Sequence, residues 1–534
     1  MTVPDALHVE MNLGGPILDM TEDPILDMTG DPILDMGWDD VLDDVLTETP
    51  IVIFQGQRNG DPLDRVGDAG TIKLVMNNNA SNTAGMISYY SPDHAGKRGG
   101  FGNGTRVRVG ITKDAVTEWL AEGRIISTDP EPGLLSNKVV MVTVGDWLEV
   151  ASRSPMPRIP VQEGVTDDQV LQLIVESLDD APAETNFATG AYTYEYAPTD
   201  VDEDTKVMAA LQSLAQSGLG RIYITGGPTS GEVLKYVDLF SLLSASGTSV
   251  ASFNDDQLDM GASRKAYKRV KRVVVTYYPH EKDASPVILF SMATEILVPA
   301  GQPVKLIGYY RDPNANSSKS IAAVDVLTPV VGTDLNLSTV AGSGSGDLNG
   351  SLVIDSFDRG GRSAELQVTN NSVSNGNLQV QFRGKGLYPY DAITYTAENP
   401  SIKEGEGVTL NYDLRYHSDY FTAKEIADNL LAWYEVELTD VPSLDFVPTL
   451  DDESFDKMLA CKPGELINVS ESVTDIAYSM IVLGREISIW NGGRYITERL
   501  FITPAQQTEN GLYMELDVDG QCELDGDNTI IAFG

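Results

Sequence analysis

Apolar and polar residues begin to alternate near residue 51 and do so in short pieces over most of the chain. Thr71-Ile-Lys-Leu-Val-Met76 alternates and ends at Asn77-Asn-Asn79. Thr105-Arg-Val-Arg-Val-Gly-Ile111 puts Arg106 and Arg108 on one face and valines on the other. Gly123-Arg-Ile-Ile-Ser127 and Val139-Val-Met-Val-Thr-Val144 follow, the latter leading into Asp146-Trp147-Leu148. A period of two, broken by turn residues, predicts half-buried strands; several at this spacing predict a barrel or sandwich.

The period then lengthens. Thr166 to Leu178 carries an apolar face at Val170, Leu173, Ile174 and Leu178 behind a Thr166 cap, which predicts a helix. Lys206 to Ser217 repeats the pattern, with Asp200-Val-Asp-Glu-Asp204 expected to cap it and Gly218 as the C-cap. Strands are predicted at Arg221–Thr225, Tyr236–Phe240 and Arg269–Tyr278. Residues 285–395 read as a separate β-sandwich, with strands at Val304–Tyr310, Ser351–Ser356, Ala364–Val368 and Leu378–Phe382 between Gly, Ser and Asn turns. A helix at Thr422–Tyr434 and strands from Leu466 to the end complete the reading.

The first fifty residues differ. Pro-Ile-Leu-Asp-Met recurs from Pro16, Pro24 and Pro32, and a proline in each copy forbids a continuous helix. Residues 1–50 are expected to form an acidic arm, with short extended pieces that lay Ile, Leu and Met on a neighbouring subunit; a disordered acidic tail is the alternative.

The composition narrows the function. With 42% hydrophobic residues the 534-residue chain can bury sizeable cores. Its 79 acidic against 37 basic residues give a net charge of −42, which repels nucleic acid and anionic lipid at long range. Two cysteines, Cys461 and Cys522, make neither a disulfide framework nor a zinc set, and His8, His94, His280 and His417 are scattered. The N-terminus lacks the pattern of a signal peptide, so synthesis and assembly are expected in a cytoplasm. Residues 200–204 lack the Gly and Glu of a calcium loop, and Asp517–Gly520 and Asp525–Asp527 read as acidic turns. Gly100-Phe-Gly-Asn-Gly104 is followed by a strand where a phosphate loop needs a helix. The basic run Arg264–Arg272 reads better as a strand edge facing an acidic neighbour than as a nucleic-acid patch. No catalytic, cofactor-binding or metal-ligating residue is assigned.

The order of these pieces resembles a known family. Asp61-Pro-Leu-Asp-Arg-Val66, the strand ending at Asn77, Ser88-Tyr-Tyr-Ser-Pro92 and Gly104-Thr-Arg-Val-Arg-Val109 resemble the first domain of the tail hub proteins of long-tailed bacteriophages. Gly123-Arg-Ile-Ile and Val142-Thr-Val-Gly-Asp146 continue that pattern. Ala209–Ser217 before Gly220-Arg-Ile-Tyr-Ile224 is similar to the family's small α/β unit, and Phe253-Asn-Asp-Asp256 with Lys271–Tyr277 to its return strand. Lys462–Val469, Ser479–Gly484 and Arg499–Pro504 are similar to its closing barrel.

The resemblance, over about residues 51–280 and 400–534, implies a mainly β fold with an α+β part: a first hub β-barrel at 51–160, a small α+β domain with a return strand at 161–280, and a helix plus second hub barrel at 396–534, with the sandwich at 285–395 as an insertion that the resemblance does not cover. It implies a homotrimer whose barrels close a ring continuing the tail tube. Its partners would be the distal tail ring and tube proteins, the tape measure protein, and tip or fibre proteins, with genome DNA passing the lumen without specific binding. The location would be the virion tail tip, assembled in the bacterial host cytoplasm; neither enzyme activity nor a cofactor is implied. Two competing readings are an adhesin binding a receptor or glycan through the 285–395 sandwich, with Tyr309, Tyr310, Tyr388 and Tyr390 as candidates, and a cell-wall hydrolase.

Overall fold

A computed structural model of the chain describes residues 2–16, 34–35, 37–60, 63–133, 137–201, 205–238, 248–255, 257–262, 269–313, 319–342, 345–403, 405–434 and 441–505. The fold is mainly β, with α+β parts. Its largest element is a 13-stranded sheet built from both ends of the chain. One half is antiparallel and runs Ile51–Gly56, Thr71–Asn77, Val139–Gly145, Val116–Pro130, Arg106–Lys113. The other is built on Ile476–Trp490, flanked by Tyr495–Pro504 and Leu466–Glu471. Alternate residues of these strands point inward, and one apolar core runs through both halves, from Ile53, Leu74 and Val142 to Phe455, Ile487 and Leu500. The two expected barrels are therefore hydrogen-bonded into one sheet over a shared interior.

The N-terminal segment is not all arm. Ala6–Asn12 pairs along its whole length with Arg106–Lys113, from Ala6↔Thr112 to Asn12↔Arg106. Leu7, Val9, Met11 and Leu13 are buried in the shared core. Thr2 N–H donates to the Thr449 carbonyl at 3.1 Å, so the strand also touches the second half. The expectation of an arm over residues 1–50 is corrected at Ala6–Asn12: Leu7, Val9 and Met11 have a partner surface on their own chain. Of the Pro-Ile-Leu-Asp-Met repeats, residues 17–33 and 36 lie outside the described residues; Gly15–Pro16 pairs with Leu34–Asp35 across them.

Beneath the first half sits the small α/β unit. Val233–Val237 pairs antiparallel with Arg221–Thr225 and parallel with Glu184–Phe187. Helices Trp147–Arg153, Asp167–Glu176 and Val207–Gly218 share a core with this sheet. Thr166 and Gln169 form a capping box at the start of the second helix. At the third, Lys206 is the N-cap and its own side chain makes no cap bond; residues 202–204 of the expected acidic cap lie outside the described residues. Its left-handed C-terminal residue is Leu219, φ 58°, not Gly218. Gly218 is required for space instead, because a Cβ there would lie 2.1 Å from the Asp167 carboxylate.

Val270–Tyr277 does not close the α/β unit. It pairs antiparallel with Ile393–Glu398 and parallel with Val408–Leu414, and helix Tyr420–Tyr434 packs on these strands. The return strand and the helix placed in separate expected domains thus form one unit. Ala251–Asn254 and Asp259–Met260 join the second half of the large sheet.

The sandwich is spliced between Tyr277 and Ile393, which face each other in one ladder. Its spine, Gly376–Pro389, pairs in turn with His280–Lys282, Ala322–Val324, Val287–Ser291, Leu335–Ser338 and Ile296–Val298. The second sheet is Pro303–Tyr309, Ser363–Asn370 and Leu352–Arg359. Phe382, Leu366, Val380 and Leu335 fill a core that draws on no other unit. A small apolar contact of Ala322, Val324 and Leu387 with Val161 and Tyr196 docks it on the α/β unit.

Candidate functional site

The feature that separates this chain from two linked barrels is the seam joining its halves. Ile476–Trp490 is 15 residues long and changes partner midway. Ile476 to Ile481 pairs with Leu466–Glu471; beyond Val482 the same edge takes up Ile51–Gly56, from Gly484↔Gly56 to Ile489↔Ile51. The change is marked by an irregularity between Val482 and Gly484 in the opposite ladder. The backbones approach so closely there that a Cβ on Gly56 (φ +83°) would lie 2.2 Å from the Leu483 carbonyl oxygen, and one on Gly484 2.5 Å from that of Gln57. Only glycine fits such a crossing.

Arg485 lies just inside the seam and is fully buried. Its Nε donates to Gln55 Oε1 at 3.0 Å, Nη1 to the Met458 carbonyl at 3.2 Å and Nη2 to the Leu120 carbonyl at 3.5 Å. One guanidinium thus ties strands of both halves and the helix before the second. Glu498 is buried in the same interior, and burial pushes its carboxyl up to about 8 against the pull of Arg485. Burial also raises the Cys461 thiol well above its usual range, which leaves it a core residue.

A second charged cluster fastens the first half to the α/β unit. Arg106 meets Glu122 at 2.5 Å and Glu232 at 3.5 Å, while Arg124 meets Glu232 at 3.2 Å and also pairs with Asp180. Glu122 in turn accepts from Ser230 Oγ and Gly231 N. Burial lifts the Glu232 carboxyl to about 7 although both arginines oppose it. Arg108 grips Glu10 through Nε at 2.8 Å and Nη2 at 2.6 Å, with Trp38 and Trp119 at 4.2 and 3.7 Å. The two arginines of this strand's polar face are thus spent on partners within the chain, Arg108 on the N-terminal strand itself. Of the basic run, Arg264–Lys268 lies outside the described residues; Lys271 and Arg272 meet Glu398 at 3.4 and 3.2 Å.

The other candidates stay apart. Tyr310 is fully buried, Tyr388 donates to Asp283 and Tyr390 to Glu281, and Tyr309 and Tyr390 are exposed, so the four tyrosines make no common aromatic platform. His8 bonds Thr112 Oγ1, and His417, held down to about 4 by burial, donates from Nε2 to the Ser217 carbonyl. Among the described residues no group of three or more His, Cys, Asp or Glu is placed to hold a metal ion, and no helix is long and apolar enough to cross a membrane. Gly100–Gly104 is a turn. Cys522 and the acidic turns at 517–527 lie outside the described residues. Sequence reasoning missed the seam and Arg485; the signal was the Gly484-Arg485-Glu486 break in a run of apolar strand residues.

Among solved structures the chain is similar to phage tail proteins. The 43 kDa tail protein of prophage MuSo2 from Shewanella oneidensis is 8% identical, with 94% of this chain and 99% of that one covered and a TM-score of 0.46. A tail protein from Neisseria meningitidis MC58 is 10% identical over 94% and 98%, also with a TM-score of 0.46. The prophage tail protein gp18 of Listeria monocytogenes EGD-e is 6% identical over 95% and 96%, with a TM-score of 0.39. No protein-family model and no curated protein sequence matches the chain.

Proposed function

We propose that the chain is a structural subunit of a phage tail tip, three copies of which close a ring that continues the tail tube and connects it to tip or fibre proteins. The observation that carries this reading is the seam. Pairing Ile51–Gly56 with Gly484–Ile489 turns two barrel-like halves into one unbroken wall segment, the arrangement a ring of three two-barrel subunits needs. The tie is backbone hydrogen bonding plus a buried arginine, so the angle between the halves is held stiffly.

The subunit acts by shape rather than by chemistry. DNA crossing a bore lined with Lys or Arg would be held by counterion release. The −42 net charge, and the consumption of Arg106 and Arg108 by Glu122, Glu232 and Glu10, favour a bore of acidic and small polar side chains that keeps a polyanion mobile. Class averages of negatively stained, purified full chain should show a threefold ring with an open bore. A field of single, unassociated particles at every concentration would defeat the reading.

A further inference from the structure

Where the sandwich is spliced in, a cleft of about 300 Å3 opens between it, the α/β unit and the three-stranded unit. Of its apolar lining from the sandwich, Ile321, Ala322 and Leu387 are buried and Pro389 is half-buried, so Pro389 supplies the open apolar surface. Polar groups from three sources meet over this lining: Arg362 and Ser320 of the sandwich, Tyr278 and His280 at the splice, and Thr199, Asp200 and Arg415 from the other two units, the Asp200 carboxylate being the one acid in the lining. Two guanidiniums in one cleft are notable in a chain with twice as many acidic as basic residues. Arg415 is already matched, to Asp200 at 3.2 Å and Asp413 at 3.1 Å. Arg362 is half-buried and, among the described residues, has no carboxylate within ion-pair distance; its Nη2 makes a long 3.5 Å bond to the Ser320 carbonyl. Its position is fixed, because its own carbonyl accepts from Tyr310 N–H at 2.9 Å and Ala323 N–H donates to the Gly361 carbonyl next door.

We propose that this cleft binds an acidic sugar, a pyranose whose carboxylate pairs with Arg362. A guanidinium fork matches a carboxylate. The hydroxyls of Tyr278, Thr199 and Ser320 and the imidazole of His280 suit ring hydroxyls, and the half-buried Pro389 ring suits the C–H face of a pyranose. The volume is at the lower end for ligand sites and fits one or two sugar units. The inference stands whether or not three copies close a ring.

Calorimetric titration of the full chain with glucuronate, methyl glucoside and inorganic phosphate tests it. Glucuronate should bind saturably, about tenfold or more tighter than either of the others, since a site built to pair a carboxylate rejects a ligand lacking it. Arg362→Gln should erase that preference while the melting temperature stays put. Should that variant misfold, hydrogen exchange on the unaltered chain decides: glucuronate should protect residues 320–322 and 387–389. Equal affinity for methyl glucoside, equal affinity for phosphate (a bare anion hole), or no protection on adding glucuronate would each overturn the proposal.

Discussion

The large sheet and the inserted sandwich are both mostly antiparallel β structures with alternating strands, yet they are assembled in opposite ways. Every core residue of the sandwich comes from one stretch, Val287 to Tyr388. The core of the large sheet gathers Leu7 and Ile502 into one interior, and its seam pairs residue 56 with residue 484. A contiguous module can be inserted, moved or lost as a unit, whereas a sheet closed by distant segments fails if any of them is removed. The splice agrees with this: His280 pairs with Pro389, and Tyr390 N–H donates to the Pro279 carbonyl at 3.0 Å, so the two crossings of the sandwich adjoin.

The sharpest way to break the contrast is deletion. Removing residues 2–13 takes four buried apolar side chains from the sheet, about 1.5–3 kcal/mol each, against a total stability of about 5–15 kcal/mol. The truncated chain should be insoluble or lack cooperative unfolding. Replacing residues 281–388 by a short Gly-Ser linker should leave a soluble remainder with a cooperative melt, and residues 280–390 alone should also fold. Retained solubility and cooperative unfolding of the 2–13 deletion would return that segment to the status of a free arm.

Gly484→Val attacks the seam itself, forcing a side chain against backbone 2.5 Å away. It should cost about 3 kcal/mol, as a side chain forced into closed packing does. Phe382→Ala in the sandwich should cost about 3–5 kcal/mol. Differential scanning calorimetry should place the two losses in different transitions, the large sheet's for Gly484 and the sandwich's for Phe382. One merged transition shifted by both variants would show that the units unfold together.

The pH response should also differ. Burial holds the Asp146 and Glu498 carboxyls up to about 8 and those of Asp167 and Glu232 up to about 7, all outside the sandwich. Each folded value exceeds the unfolded one of about 4, so the native state binds more protons. The stability linked to them is complete below that value and is lost as pH rises through 7 and 8. His417 acts oppositely, but only as pH falls below about 6.5 toward 4. The urea midpoint of the full chain should therefore fall between pH 6.5 and 8.5, and Glu498→Gln should flatten part of that slope. The isolated sandwich should stay level over this window, since its shifted carboxyls, Asp325 and Asp334, are lowered. A rise in the full chain's midpoint over the same range would contradict the burial of these carboxyls.

The smallest expected difference lies between two arginine forks. Arg108→Ala gives up Glu10 and two tryptophans in the sheet, and Arg383→Ala gives up Asp334 in the sandwich. The Arg108 loss should lower stability by about 1–2 kcal/mol and loosen the N-terminal strand first in hydrogen exchange; the Arg383 loss, at a solvent-screened site, should give the smaller shift in urea midpoint.

How much was legible in the sequence follows the same division. The expected strands at residues 304–310, 351–356, 364–368 and 378–382 all start within one or two residues of observed ones, because one face of each is buried in a core and its alternation is plain. Thr71–Asn77, Val139–Gly145 and Arg221–Thr225 were equally plain. Leu7, Val9 and Met11 alternate just as clearly, but the proline repeats beside them gave the segment the look of an arm. Helix Asp452–Ala460 carries the signal of an Asp451 cap that accepts from Ser454 N–H, too short to stand out between strands. The Gly484-Arg485-Glu486 break was visible in the sequence but the pairing it marks was not, since nothing local tells Gly56 and Gly484 that they will meet, and a buried Arg485 contradicts the apolar pattern that marks an interior. The cleft beside Arg362 was equally hidden, being made by six separate stretches.

The central claim, that the fused wall is one third of a ring, is tested most directly by native mass spectrometry of the purified full chain. The account predicts a dominant species of three times the 57.8 kDa chain mass, dispersed to single chains by Gly484→Val or another change that opens the seam. A single-chain mass at every concentration of the unaltered protein would contradict it.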